Sequence, residues 1–372
     1  MKKRIIRISS IIGLILLVLI VYKIGPAQIW QHIQKITLQN FFILLFMRLG
    51  YWLLRTFNWW IILKGYDNHG SFLHLFAARM SSHAVSHLTP SASIGGEATR
   101  MMLLNSPNKK INVASVIVDK TIESFTVIFF TIIGVTIAIA RIPMPGKYKI
   151  IFISFVCLTS LLLVFIFYKQ KKGFFGWIIN LLGKMKIRPK FLENNKEKIE
   201  ETDRYISEFY RKHKNLFVKV FFFYSLLVLF WTTEIHLTLM FIGAKNITFL
   251  DSFIIVSLGS IAFAIQITPA SLGIYEATYV AIFALLKLGT GLGITLVLMR
   301  RLIALMWAGI GVLGMMRLNP GGAKNVPGED RDDPGVKKKI QEELERAQEE
   351  LKKRSGGARE NSGGDQESSG GA

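Results

Sequence analysis

Residues 87–100 read HLTPSASIGGEATR: a proline and two glycines interrupt a very apolar chain, with a glutamate and an arginine beside them. A near-copy, QITPASLGIYEATY, occupies 266–279. Both contain Thr-Pro, six residues, then Glu-Ala-Thr. The first copy supplies Thr89, Pro90, Glu97, Ala98 and Thr99, and the second Thr268, Pro269, Glu276, Ala277 and Thr278, at a constant offset of 179 residues. Five matches at one spacing mark an internal repeat. The same offset carries Trp52 onto Trp231, and Arg55 onto Glu234 with reversal of charge.

Pro90 and Pro269 each remove a backbone donor and clash with the preceding turn, so a helix stops there. Gly95, Gly96 and Gly273 allow close approach or left-handed backbone. A new helix is expected to begin near each glutamate, with unpaired amides and the positive end of its dipole at the break. Such an end can hold a phosphate or a carboxylate. Each break therefore reads as half of a central polar site. The rival reading makes Thr-Pro-Gly an ordinary loop between complete spans, although arms of about 17 residues are short for crossing a bilayer. Neither glutamate lies three residues after a Ser or Thr, so no capping box is expected.

The rest of the chain sets these breaks in a membrane. Of 372 residues 51% are hydrophobic, and apolar runs such as IIGLILLVLIV (11–21), VIFFTIIGVTIAIA (127–140) and IIFISFVCLTSLLLVFIFY (150–168) suit bilayer spans. Full spans are predicted over 5–22, 40–63, 111–140, 149–168, 216–243 and 292–316, with interrupted stretches at 72–104 and 252–288. The expected fold is all-α: a polytopic helical membrane protein of about six full spans plus two Pro-broken re-entrant hairpins. The repeat halves, about 5–140 and 149–318, would be inverted, a recurrent plan in transporters. The opening MKKRIIR and its apolar run read as an uncleaved first span, because GPAQ offers a poor cleavage site.

Forty-six Lys and Arg against 25 Asp and Glu give a formal net charge of +21. The cations crowd the segments between apolar runs, which points to membrane topology and away from nucleic acid. The N-terminus, Lys109, Lys110 and the loop 169–214 are expected inside, with both termini cytoplasmic and the protein in the cell membrane. Within that loop, FFGWIINLLGKMKIR (174–188) suits the interface and ENNKEKIEETDRYISEFYRKHK (193–214) reads as a solvated charged helix. The membrane domain is expected over 1–319. Beyond it lie a turn-rich linker, a short charged helix at 336–354 and a disordered Gly/Ser-rich tail, together 320–372.

Charged residues fall inside apolar spans. Arg48, Trp52, Arg55 and Trp59 share one helical stripe. A mid-membrane arginine costs about 2.5–3.5 kcal/mol on insertion scales, so it should face a partner or a polar cavity. Glu234, Asp119, Lys120, Glu123, Arg300 and Arg301 are similarly placed. They can pair with one another, for example Arg55 with Glu234, or form a cationic pocket for an anionic head group; the two readings overlap. His83 and His87 stand four apart, but no HExxH and no third ligand accompany them, so neither metal nor cofactor is expected. The single cysteine, Cys157, excludes an intrachain disulfide.

LTPSASIGGEATR and ITPASLGIYEA resemble the two signatures of the lysylphosphatidylglycerol synthase transmembrane-domain family, flippase-like membrane proteins. The first family motif ends Gly-Glu-x-x-Arg, matched by Gly96, Glu97 and Arg100. The second is Thr-Pro-Gly-Gly-x-Gly-x-x-Glu, matched by Thr268, Pro269, Gly273 and Glu276, with Ala270 and Ser271 replacing the paired glycines. A Glu-Arg-x-x-Asp motif corresponds to Asp119-Lys120-x-x-Glu123 with the acids exchanged. The resemblance covers roughly 5–318 and implies a translocator without the soluble aminoacyl-transfer domain, for which 320–372 is too short.

Residues and resemblance together lead to one expectation: a flippase for an anionic lipid or lipid-linked substrate, of polyprenyl-phosphate or aminoacyl-phospholipid type. It would work by alternating access around a midplane site, with membrane lipids as its partners. The expected site is Arg48, Arg55, Thr89, Pro90, Gly95, Gly96, Glu97, Arg100, Glu234, Thr268, Pro269, Gly273, Glu276, Arg300 and Arg301, with Asp119, Lys120 and Glu123 behind them. Two alternatives stand beside it. One is a membrane enzyme on a lipid-linked head group, with Glu97, Glu276 or His87 as its protonatable group; the other is a non-transporting scaffold that uses 169–214 and the tail.

Overall fold

Helices alone make up the secondary structure of residues 22, 26–68, 70–88, 94–104, 108–143, 145–170, 177, 196–264 and 271–318, the part of the chain described by this computed structural model. They are α1 (Pro26–Ile33), α2 (Leu38–Lys64), α3 (Phe72–Leu88), α4 (Ile94–Leu103), α5 (Lys109–Arg141) and α6 (Gly146–Gln170), followed by α7 (Lys196–Lys212), α8 (Lys214–Phe241), α9 (Phe249–Ala264), α10 (Ile274–Leu285) and α11 (Thr290–Leu318). Their ends are chemically marked. Thr37 is extended and its side chain accepts from the Asn40 amide at 3.2 Å, capping α2. Asn108 does the same for α5, accepting from Lys110 and Ile111. Past α8, Gly243 takes φ +89°. The Gly243 and Ala244 amides then donate to Met240 and Leu239 at 3.1 and 2.9 Å, which satisfies the last carbonyls.

Among the described residues four helices are long and apolar enough to cross a membrane: α5, α6 over Lys149–Ile166, α8, and α11 over Thr290–Met315. They coincide with four of the six spans read from the sequence. The stretch 40–63 is α2, equally long but carrying Arg48 and Arg55. The stretch 5–22 lies outside the described residues apart from Tyr22. The interrupted stretches are helix pairs: α3 stops at Leu88 and α4 starts at Ile94, while α9 stops at Ala264 and α10 starts at Ile274. Thr89, Pro90, Thr268 and Pro269 fall between them, outside the described residues, as does everything from 319 onward. By contact the chain divides into Met1–Pro320 and Gly321–Ala372.

The sequence repeat is also a repeat of helices. α2 to α5, of 27, 17, 10 and 33 residues, recur as α8 to α11, of 28, 16, 12 and 29. Packing follows the same exchange of halves: α3 lies against α11 and α9 against α5, while α2 packs on α8. Glycines allow these approaches. A Cβ on Gly311 would stand 2.1 Å from the Met80 carbonyl oxygen, and one on Gly134 2.0 Å from Ser257 Oγ. An apolar cluster of Leu44, Trp52, Met80, Met299, Ile303 and Trp307 ties the halves together.

One expectation is corrected. The charged helix α7 is not merely solvated: it buries Ile206, Phe209 and Tyr210 against Ile122 of α5 and Val220 and Tyr224 of α8. Its glutamates lie on the other face, where Glu201 pairs with Lys110. The repeating apolar residues at i, i+3 and i+4 account for the burial.

The glycine contacts give a test. Gly311→Ala must push α11 away from a rigid backbone and should cost about 1–3 kcal/mol, seen as a lower thermal midpoint in detergent. Gly309, two residues earlier, has nothing within 4 Å of its would-be Cβ. Gly309→Ala should hold or raise the midpoint, since alanine favours helix by up to about 1 kcal/mol.

Candidate functional site

An arginine inside an apolar helix must find a carboxylate, a ring face or a polar cavity, because each lone charge there is poorly solvated. The structure answers arginine by arginine. On α2, Arg48 Nη2 donates to Glu234 Oε1 at 2.6 Å, with Glu234 fully buried on α8. Arg55 Nη2 instead donates to Glu123 Oε1 of α5 at 2.5 Å. The suggested Arg55–Glu234 pair is thereby corrected. Arg55 lies two turns, about 10.5 Å, along α2 from Arg48, and α8 brings Glu234 level with the earlier residue. Tyr51 sits between them, its ring centroid 5.1 Å from the Arg48 guanidinium and 5.9 Å from that of Arg55.

Asp119 of α5 is the most heavily used acid. Arg79 of α3 and Arg100 of α4 donate to its Oδ2 at 2.9 and 2.5 Å, and the Tyr224 hydroxyl donates to Oδ1 at 2.6 Å. All four side chains are buried. Both guanidiniums also stand over the ring of Trp59, at 5.4 and 4.7 Å, and Trp59 is fixed in turn by its Nε1–H to Ser115 Oγ. Arg100 reaches Glu97 at 2.7 Å, and Lys120 lies 3.4 Å from Glu123 and 4.0 Å from Glu97. So Glu97, Arg100, Asp119, Lys120, Glu123 and Arg55 form one chain of charges. Gly96 has a packing role within it: a Cβ would meet Ser86 Oγ at 1.9 Å and the Ser82 carbonyl at 2.4 Å, so the glycine lets α4 lie on α3.

The second half is built differently. Arg301 of α11 pairs with Glu276 and also donates to the Ser271 carbonyl at 3.4 Å. Glu276 accepts the Gly273 amide at 2.7 Å, and Gly273, at φ +79°, is the N-cap of α10. This corrects two expectations. Glycine supplies the cap where Ser or Thr was sought, so the glutamate still reaches back as in a capping box. The start of α10 is thus engaged by the protein's own carboxylate.

Arg300 is the exception. It is buried, donates to the Tyr279 hydroxyl at 3.3 Å, and stands 5.1 Å from the Trp231 ring centroid. Among the described residues it has no carboxylate within ion-pair distance, though Glu234 and Tyr51 lie within electrostatic range. Arg48, Arg55, Arg79, Arg100, Lys120, Arg300 and Arg301 therefore outnumber Glu97, Asp119, Glu123, Glu234 and Glu276. The His83 ring lies tilted against Trp52 at 4.5 Å and His87 at 4.2 Å, within the first half, and its Nε2 stands 3.3 Å from the Ala304 carbonyl oxygen of the second.

Sequence reasoning missed Arg79, Tyr224, Tyr279 and Trp307. Arg79 carried the signal used for Arg48, a cation at the middle of an apolar helix. The tyrosines carried none, since their role depends on which acid or guanidinium faces them.

The two kinds of arginine predict two outcomes. Asp119→Ala strands Arg79 in the interior, leaves Arg100 with Glu97 alone, and should cost about 3–5 kcal/mol, read as loss of a monodisperse detergent-purified peak. Arg300→Gln breaks no ion pair and should keep that peak.

The sequence profile of the lysylphosphatidylglycerol synthase TM region matches residues 6–311. A UPF0104 membrane protein of Methanothermobacter thermautotrophicus is 26% identical over 207 residues, which is 53% of this chain and 59% of that protein. The match thus spans less than two thirds of the relative's length. A profile that runs from before α1 into α11 takes in both helix repeats and every charge pair above. This chain of apolar helices therefore belongs to the lysylphosphatidylglycerol synthase TM region family, integral membrane proteins connected with lipids.

Proposed function

We propose that the protein translocates an anionic lipid, or a lipid-linked phosphate, between leaflets through the charge cluster at the meeting of its halves. The observation that supports this best is Arg300. It is buried with a phenol and an indole as its neighbours, where its fellow arginines have carboxylates. A phosphate beside it would form the charge-assisted bonds that the fold itself leaves unmade. Arg48 and Arg301 would share the head group by partial exchange from Glu234 and Glu276. Paired guanidiniums can hand an anion from one to the next without any of them standing bare.

In this reading α3–α4 enters and leaves from one face, while α2, α5 and α6 cross. The second repeat then begins on the opposite face, so the halves are inverted and rock about the site. Lys109, Lys110 and the cations of 196–214 lie on the cytoplasmic side of a plasma membrane, and both termini lie there too. Glu97, Lys120 and Glu123 line the approach from the lipid.

The test is translocation in vesicles. In phosphatidylcholine proteoliposomes holding a trace of fluorescent phosphatidylglycerol, the purified full chain should speed loss of inner-leaflet fluorescence to an added membrane-impermeant quencher, relative to protein-free vesicles. Arg300→Gln should slow it by about tenfold or more, the factor for one charge-assisted bond. Equal rates for wild type and protein-free vesicles would sink the reading.

A further inference from the structure

We infer that one face of α2, from Arg48 to Asn58, is the track along which a phosphate-bearing head group moves, with Asn58 and the indoles of Trp52 and Trp307 as its hydrogen-bonding stations. The inference rests on the translocator reading and adds residues and a path to it. Its starting point is Asn58, which is wholly buried while neither its amide nitrogen nor its oxygen has a hydrogen-bond partner among the described residues. A buried carboxamide left unpaired on both atoms is costly, and an apolar residue of similar size would serve the fold better.

Asn58 is one of a set. Trp52 Nε1 and Trp307 Nε1 are also buried without an acceptor, and so are Arg48 Nε and Arg55 Nε. Trp52 and Trp307 belong to an apolar cluster that joins α2, α3 and α11, at the seam between the halves. Positions 48, 52, 55 and 58 fall within a sector of about 120° on a helix of 3.6 residues per turn. They extend over about 15 Å of its axis, half of a hydrocarbon core of about 30 Å. Trp59, in the same sector, is satisfied by donating Nε1–H to Ser115 Oγ at 3.2 Å, and Thr56 Oγ1, to one side, donates to the Trp52 carbonyl at 2.8 Å. Unmet donors also occur at Arg79 Nε and Arg100 Nε, but those of α2 share one sector of a single helix.

Their chemistry names the ligand class. Guanidinium, indole and carboxamide N–H groups are all donors, so the traveller must be rich in acceptors, as a phosphate is. Asn58 Oδ1, on this face, and Glu234 Oε2, on the carboxylate that Arg48 holds, are unmet acceptors suited to a hydroxyl or amine on the same head group. Indole N–H groups bind an anion more weakly than a guanidinium does. Alternating the two along the path would keep a phosphate from being trapped at one arginine.

The experiment uses the full chain in phosphatidylcholine vesicles with fluorescent phosphatidylglycerol, and compares wild type with Asn58→Leu and Trp52→Phe. Asn58→Leu deletes hydrogen-bonding groups and keeps bulk, whereas Trp52→Phe deletes the indole N–H and trims a side chain packed in the apolar cluster. Thermal midpoints are measured on the same preparations. On this proposal both variants slow translocation by about tenfold, while the Asn58→Leu midpoint stays at or above wild type, because an unpaired buried group has been removed. Wild-type rates in both variants would overturn the track and leave the translocator reading intact. Slower movement in Asn58→Leu with a matching fall in its midpoint would assign that face to the fold and also overturn it. Absence of any wild-type translocation would remove the reading on which both rest.

Discussion

A guanidinium carried into a helix bundle needs a charge to face it, and the placing of these carboxylates decides which helices can lie together. Asp119 gathers Arg79 from α3, Arg100 from α4 and Tyr224 from α8 around one side chain of α5. Four helices are thereby fixed at one height. Trp59, under both guanidiniums, adds α2 to the group. Without that acid Arg79 would lose its carboxylate and Arg100 would keep Glu97 alone, so the interior of the first half depends on it. Buried ion pairs of this kind add little net stability. Their effect here is on register: apolar surfaces can slide, whereas an acid with one oxygen shared by two arginines and the other held by a tyrosine cannot.

Glycine supplies the complementary constraint. The contacts of Gly311 with Met80 and of Gly134 with Ser257 bring the long helix of each half against the broken pair of the other. Backbones that approach this closely place charges from different helices within bonding reach. The same two-part logic, close backbones and paired ions, holds in both halves, although the residues differ. Where the first half uses Arg100 on Asp119, the second has Tyr279 at the matching position and turns it toward Arg300. The repeat has kept its helices and has changed its charges. The outcome is a surplus of cations at the seam, which is the feature a phosphate would use.

The membrane class, the helix pairs and the offset of the repeat were all legible in the chain. Apolar runs, a proline that cannot continue a helix, and five identical residues at one spacing are local facts. They fix where α3 gives way to α4 and where α9 gives way to α10 to within a few residues. The family resemblance was legible for the same reason, since Gly96, Glu97, Arg100, Gly273 and Glu276 sit in short contiguous motifs. The buried face of α7 was less so, because its charged residues masked an apolar stripe of three large side chains.

Partnership was beyond the sequence. Spacing could place Arg48 and Arg55 on one stripe, but which of them meets Glu234 depends on how far α8 is shifted along α2, a quantity no local pattern encodes. The same holds for the Tyr224 bond to Asp119, for the solitary position of Arg300 and for the unmet amide of Asn58. By itself the sequence determined that charges must be buried and in which helices they ride, because burial follows from hydrophobicity and hydrophobicity is read residue by residue. Only the tertiary structure decided which charges neutralise each other and which are left over, because ion pairing depends on distances between atoms far apart in the chain.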